Sequence, residues 1–465
     1  MNKNLWILTE ERPKSNVIAT IINKFALDYR IACFIDTIRI LPILSDSKDF
    51  SFTYEVIGFT SKKINKIFIK IVSGRSSFVD YLVFFKNCEP NKSDIPLYAI
   101  EETKTDDSES RNTGIYQRST KFVYFDFFYS GIKKVMLYNL KVEQKEKQSD
   151  TNIFGSRCLL TLGVEILGRN LDKNIYRPFT NIDELICFKN SMRKAPKGNV
   201  PINICKTKSS IEVSGRLVKS DSLSHDPNIG ALSLICATLR ELGWDNKIII
   251  IEHGLNQNHL NGNNKFVQIA NRLNISFKGL NLMTTQHLMN NDYWHYEENG
   301  EKLATIFIDI IVESFTNGYS IFDNHAGCEK SYFLTKEGKY IPLKKYENKE
   351  QYKKGDKSKI INIPDLILID IDSKKVINIE GKKYINRKIG IKELTNFISI
   401  EDLYIKPNYP KFQIVKTLVL YGSNNEKIIE CEIGFLLNKN GKMILGIEAP
   451  RLFKVAIKNL LDFYS

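Results

Sequence analysis

Two apolar runs of this chain end in an acid, one spacer residue and a lysine. One, IPDLILIDIDSKKVINIEGKK, carries Asp365 directly after Pro364 and then Glu380, Gly381 and Lys382. The other, IPLYAIEETKTDD, ends in Glu102, Thr103 and Lys104, downstream of Asp80 in SSFVDYLVFF. Charges gathered at a strand end beside a core must be paired or bind a metal, because desolvated charge is costly. Residues i and i+2 of a strand share a face, so Glu380 and Lys382 point the same way. A hairpin turning at DSKK brings Asp365 towards Glu380. Two carboxylates converging on one point make a hard-oxygen site suited to Mg²⁺. A lysine on the same face can position or deprotonate a water and stabilise charge on a phosphate. These are the parts needed to hydrolyse a phosphodiester.

Asp365, preceded by proline and followed by Glu380-Gly381-Lys382, resembles the PD-(D/E)xK signature of the restriction-endonuclease-like nuclease superfamily. The likeness covers residues 298–422, including a helix before and a helix after the hairpin, as that fold's common core requires. It implies that Asp365 and Glu380 bind the divalent metal and that Lys382 assists the water. Many members add a carboxylate from the preceding helix. Glu313 is the candidate here, with Asp309 one turn away on the same helix. The first cluster repeats the pattern with Val79 in the proline position: Asp80 and Glu102 as metal ligands, Lys104 as the assisting lysine. Gln117, in SRNTGIYQR, and Glu55, on an upstream strand, are its further candidates. Glu101 points to the face opposite Glu102 and reads as a solvated charge.

The acid-x-lysine triplet alone carries little weight in a chain with 53 acidic and 67 basic residues. Glu143-Gln-Lys145, Glu337-Gly-Lys339, Glu347-Asn-Lys349 and Asp372-Ser-Lys374 match it too. The two chosen clusters differ in having an apolar strand leading in and an upstream strand-borne Asp. Glu337 and Asp372 read as hairpin turns. The competing reading of each chosen cluster is a solvated strand end with a salt bridge. EHGLNQNHLNGNN, with His253 and His259, reads as a polar loop. His325 and Cys328 lack a second pair and read as structural. No GxxxxGK[ST] loop is present, which argues against ATP-driven translocation, and no Gly-rich methyltransferase loop is found.

The elements that must position these residues read as mixed α and β. A helix over 16–30 precedes strands in ACFIDTIRILPIL, FSFTYEVIGF and KINKIFIKIVSG, then two adjacent strands around Asp80 and Glu102. The aromatic run KFVYFDFFYS reads as a further strand. A helix ends near Gly243 before the strand KIIIIEHG, and ENGEKLATIFIDIIVESFTNG reads as an amphipathic helix stopped at Gly318. Strands around 364–382, a helix GIKELTNFISIEDLY, the strand QIVKTLVLYGS and a C-terminal helix follow. The resemblance implies an α/β (mixed α+β) protein with two restriction-endonuclease-like cores, each a central mixed sheet flanked by helices. The expected divisions are 1–150 and 291–465 for the two nuclease domains, with 151–290 as a recognition or connecting region.

The net charge of +14 is the footprint expected for a polyanionic partner, though Lys, Asn and Ile enrichment also follows from an AT-rich genome. The eight cysteines form no CxxC pair and read as free thiols of a reducing compartment. No apolar run is long enough to span a bilayer, and the expected location is the cytoplasm. Two different sites in one chain suit cutting both strands of an asymmetric DNA target, where a symmetric enzyme would dimerise. The expectation is a Mg²⁺-dependent type II restriction endonuclease, monomeric or homodimeric, acting on double-stranded DNA beside a cognate DNA methyltransferase. The alternatives are a nicking or homodimeric enzyme with one live site per chain, and a non-catalytic DNA-binding component.

Overall fold

The computed structural model describes residues 3–73, 79–104, 114–127, 129, 131–141, 148–192, 202–215, 226–262, 264–283, 295–296, 301–324, 331–344, 361–422 and 433–465. The protein is of mixed α/β class, and its chain groups into two units. One unit comprises 1–73, 85–90 and 296–465; the other comprises 74–84 and 91–295. These units do not follow the expected divisions. Residue 150 falls inside the second unit, and residue 290 lies outside the described residues. The first 73 residues thus belong with the Asp365 cluster, and Asp80 belongs with the middle of the chain.

The first unit begins with strand β1 (Lys3–Thr9) and helix α1 (Ser15–Asp28). Strands β2 (Cys33–Leu44), β3 (Phe50–Ser61) and β4 (Ile64–Ser73) then form an antiparallel meander, with β1 parallel to β4. Helix α1 buries Val17, Ile18, Ile21, Ile22, Phe25 and Ala26, the 3–4 spacing of a helix with one apolar face.

In the second unit, β5 (Tyr81–Lys86) and β6 (Tyr98–Thr103) make an antiparallel hairpin, though the last two residues of β5 fall to the first unit. Helix α2 (Gly114–Phe125) crosses over to β7 (Lys133–Tyr138), parallel to β6, and α3 (Asp150–Thr161) crosses to β8 (Val164–Leu167), parallel to β7. The aromatic run expected as a strand instead completes α2. Ile115, Tyr116, Ser119, Thr120, Phe122 and Val123 are buried at helical spacing, and that period overrides the β preference of the aromatics.

The rest of this unit holds α4 (Ile182–Ser191), β9 (Ile204–Lys206), β10 (Ser210–Ser214), α5 (Asp226–Glu241), β11 (Lys247–Ile251), α6 (Gln257–Gly262), α7 (Asn264–Arg272) and β12 (Ile275–Phe277). Their sheet has the order β12-β11-β10-β9, parallel except for β9. Helices α2 and α5 approach so closely that a Cβ on Gly230 would sit 1.8 Å from the Tyr116 carbonyl oxygen. Only glycine fits there.

After a two-residue strand β13 (His295–Tyr296), the chain returns to the first unit through α8 (Glu301–Phe315) and β14 (Tyr319–Asp323). A small hairpin of β15 (Tyr332–Leu334) and β16 (Tyr340–Pro342) precedes β17 (Leu366–Asp370) and β18 (Lys375–Lys383). Short helical turns over 384–408 include α9 (Arg387–Glu393), and β19 (Gln413–Tyr421), β20 (Ile433–Leu437), β21 (Met443–Leu445) and α10 (Arg451–Phe463) complete the chain. The sheet order is β14-β17-β18-β19-β20-β21; β17 is antiparallel to β18, whereas β18, β19 and β20 are parallel.

Helix α8 is buried on nearly all sides from Leu303 to Val312, a stretch almost wholly apolar, so it is a core helix where an amphipathic one was expected. Its Phe307 stacks on Phe435 of β20 at 5.7 Å. Phe435 pairs with Val419, and Val419 with Gly381, so α8 covers the face of the sheet opposite Glu380 and Lys382. The Glu380 face carries Ile367, Ile369, Val376, Leu418 and Leu420 and packs against Leu394, Phe397, Ile400 and Tyr404 of the helical turns.

Candidate active site

The hairpin of β17 and β18 brings the second cluster together as expected. Leu366 pairs with Ile379, so one step further Asp365 stands opposite Glu380, on the same face. Asp365 Oδ2 accepts a hydrogen bond from the Gly381 N–H at 2.8 Å, and the Asp365 N–H donates to the Ile379 carbonyl at 3.1 Å. Lys382 Nζ donates to Glu380 Oε1 at 2.6 Å and lies 2.9 Å from Glu393 Oε2 of α9. Glu380 is 7% exposed. Burial first, and then the charge of Asp365, push its carboxyl well above the usual carboxylate range against the pull of Lys382. A buried and a half-buried carboxylate that repel each other in this way suit a divalent cation, whose charge offsets the repulsion.

The same face continues inward as a polar column. Asn378 Nδ2 donates to Glu401 Oε1 at 2.9 Å, and Lys416 Nζ lies 3.2 Å from the same oxygen. Gly390 of α9 lets the Lys382 stem pass. A Cβ there would lie 2.7 Å from Lys382 Cγ and 2.6 Å from Leu418 Cδ1.

Glu313 does not join this face. It is half-exposed on α8, behind the sheet, and its carboxylate pairs with Arg12 Nη2. The Arg12 Nε lies 2.8 Å from Asp309 Oδ2, and both of these side chains are buried. The distance is that of an ion pair, although the alignment falls short of a directional hydrogen bond. The acids of α8 therefore belong to an internal ion-pair network with the segment after β1.

At the first cluster the structure shifts the register by one. Tyr81 pairs with Ile100, so Asp80 stands opposite Glu101, not Glu102. Asp80 Oδ2 accepts from the Glu102 N–H at 2.5 Å. The Glu102 side chain points to the other face, where Tyr81 Oη donates to it at 2.9 Å and Asn139 Nδ2 at 2.7 Å. Glu101, expected to be solvated, is 3% exposed and accepts from Lys121 Nζ at 2.9 and 2.8 Å. Lys121 Nζ is also 3.9 Å from Asp80 Oδ1. Lys104 lies just past the end of β6, two residues from Glu102 and so not in line with Glu101; its carbonyl accepts from the Lys141 N–H at 3.1 Å.

Gln117 falls on α2, with its side chain outside the described residues. Glu55 lies on β3 in the other unit, paired with Lys66 at 3.1 Å. Sequence reasoning missed Glu101 and Lys121. All six residues of β6 are buried, so no polar–apolar alternation marks which acid faces Asp80, and the lysine comes from a helix.

The other readings resolve simply. His253 is fixed by its own backbone surroundings: Nδ1 accepts from the Leu255 N–H at 2.9 Å and Nε2 meets the Lys278 carbonyl at 3.0 Å. The segment after it forms the short helix α6 where a loop was expected. His325 and Cys328 lie outside the described residues. Among the described residues no three His, Cys, Asp or Glu side chains stand together as a metal site. Each cluster offers a pair of carboxylates, which matches Mg²⁺, an ion that commonly takes one or two carboxylates with waters and substrate phosphate oxygens. No described helix is long and apolar enough to cross a membrane.

Comparison with family models, with curated proteins and with solved structures finds no match for this chain.

Proposed function

We propose that this protein is a Mg²⁺-dependent endonuclease that hydrolyses double-stranded DNA, a type II restriction endonuclease acting at an asymmetric site with one centre per strand. The observation that carries the reading is the placement of Asp365 opposite Glu380 with Lys382 bound to Glu380, at the end of a hairpin that leads through helical turns into a parallel strand. That order of elements and those residues agree with the PD-(D/E)xK resemblance. The strand directions of β5-β6-β7-β8 repeat those of β17-β18-β19-β20, which supports a second centre in the same chain. The excess of 14 positive charges favours a polyanionic substrate.

Asp365 and Glu380 would hold the Mg²⁺, which supplies charge stabilisation at the phosphate and an acidified water. The chain's own residues do the remaining work. Asp365 is pinned by the Gly381 N–H, which holds its carboxylate on the hairpin face. Lys382 holds positive charge beside Glu380 and steers the attacking water. In the reaction the water oxygen bonds to phosphorus, the water gives up a proton, and the bond from phosphorus to one deoxyribose oxygen breaks. That oxygen leaves as a hydroxyl after taking a proton. Cytoplasmic action beside a cognate methyltransferase belongs to the same proposal.

The test is digestion of unmodified duplex DNA with Mg²⁺ and with EDTA. Discrete fragments that require the metal support the reading; absence of metal-dependent scission, with binding alone, replaces it with a DNA-binding component.

A further inference from the structure

We infer that the first centre is built from Asp80, Glu101 and Lys121, with the lysine delivered by helix α2 instead of by the strand that carries the acid. The inference rests on the nuclease reading and names the residues that serve the second strand. In the β17/β18 hairpin, Asp365 stands opposite Glu380 and accepts from the N–H of the next residue, Gly381. In the β5/β6 hairpin, Asp80 stands opposite Glu101 and accepts from the N–H of the next residue, Glu102. The two aspartates hold the same position in their hairpins, and the counterpart of Glu380 is Glu101.

Two residues further on, the second centre has Lys382 and the first has Thr103. An acid pair without a cation would be left repelling in a buried place. Lys121 fills that gap, 2.8 Å from Glu101 and 3.9 Å from Asp80. It sits on the crossover from β6 to β7, as α9 with Glu393 sits on the crossover from β18 to β19. The ammonium thus reaches the carboxylate face from the helix layer in one centre and from the strand in the other. Glu102 lies on the opposite face with its two oxygens bound by Tyr81 and Asn139, where it braces the hairpin.

The test has two arms. Calorimetric Mn²⁺ titration of the full chain compares Asp80→Ala, Glu101→Gln and Glu102→Gln with the wild type, each checked for folding by thermal unfolding. Glu101→Gln is expected to lose the same Mn²⁺ equivalent as Asp80→Ala, while Glu102→Gln keeps it. In the second arm, Lys121→Met and Lys121→Arg are assayed on supercoiled plasmid with Mg²⁺. Both are expected to bind Mn²⁺ but only to nick the plasmid, leaving intact the same strand that Asp80→Ala leaves intact, the second cut being slowed more than about 100-fold. Arginine keeps the ion pair with Glu101, so full rescue of both-strand cutting by Lys121→Arg marks a merely structural lysine and overturns the assignment. Loss of Mn²⁺ by Glu102→Gln but not by Glu101→Gln also overturns it. If the wild type cuts no DNA, the nuclease reading fails by itself, and the Mn²⁺ titration still decides between Glu101 and Glu102.

Discussion

Asp365 Oδ2 accepts a hydrogen bond from the backbone N–H of Gly381 at 2.8 Å, which fixes a carboxylate beside the buried Glu380. The price is mutual repulsion, which adds to burial, the larger cause, in raising the Glu380 carboxyl. Asp365→Asn keeps the shape and an acceptor for Gly381 while removing one charge. It is expected to unfold at the same or a higher temperature than the wild type, as active-site charges trade stability for function. Its Mn²⁺ affinity, read by calorimetry, should fall by more than the roughly 10–100-fold that loss of a supporting partner costs. A variant with lowered stability and intact Mn²⁺ binding would show that Asp365 is structural.

Gly390 sets the room for Lys382. Adding a methyl there presses on Lys382 Cγ and Leu418 Cδ1. Gly390→Ala is expected to cost about 1–3 kcal/mol in urea unfolding, the range for overpacking a filled core. It should also slow cleavage, because the lysine moves from Glu380. Unchanged rates with unchanged stability would mean that α9 shifts freely away from β18.

Arg12 joins two acids of α8, and its partner Asp309 is fully buried. Arg12→Ala removes the nearer cation from that carboxylate and leaves Lys14 Nζ at 4.0 Å; breaking a buried pair in this way costs up to about 3–5 kcal/mol. Replacing both partners, Arg12→Met with Asp309→Leu, should recover most of the loss. A double variant as unstable as the single one would place the energetic role of Arg12 in its packing.

Glu184 in α4 gives a pH dependence. Burial raises its carboxyl, but the Thr180 N–H, Arg157, the Thr180 hydroxyl and Arg177 outweigh it and hold the pKa at about 2, against 4.5 for an ordinary glutamate. A depressed folded pKa means stability that is present above pH 4.5 and lost as pH falls towards 2. The stability difference between wild type and Glu184→Gln should therefore be constant from neutral pH down to about 4.5 and shrink below it. A difference that does not change through that window would contradict the assigned partners.

The alternation of acid and lysine in INIEGKK made the second centre legible, because Pro364, Asp365 and a short turn leave one hairpin register. The helices α5 and α8, and the strands β17 to β19, were legible for the same reason: long apolar runs with clear stops. At the first cluster the sequence holds two adjacent acids, and only the pairing of Tyr81 with Ile100 decides which one faces Asp80. Local sequence cannot choose between registers when both faces of a strand are buried. Lys121 was hidden inside an aromatic run whose β-like composition masked a helical period. The fate of Glu313 depended on Arg12, some 300 positions earlier in the chain and so beyond any local pattern.

The most direct measurement is strand-resolved mapping of cuts made in plasmid by wild type and Asp365→Ala in Mg²⁺. The account predicts that wild type cuts both strands at one asymmetric site, whereas Asp365→Ala leaves a nick confined to one strand. Linearisation by Asp365→Ala at the wild-type rate would contradict it, since the carboxylate pair of β17 and β18 would then have no part in cutting.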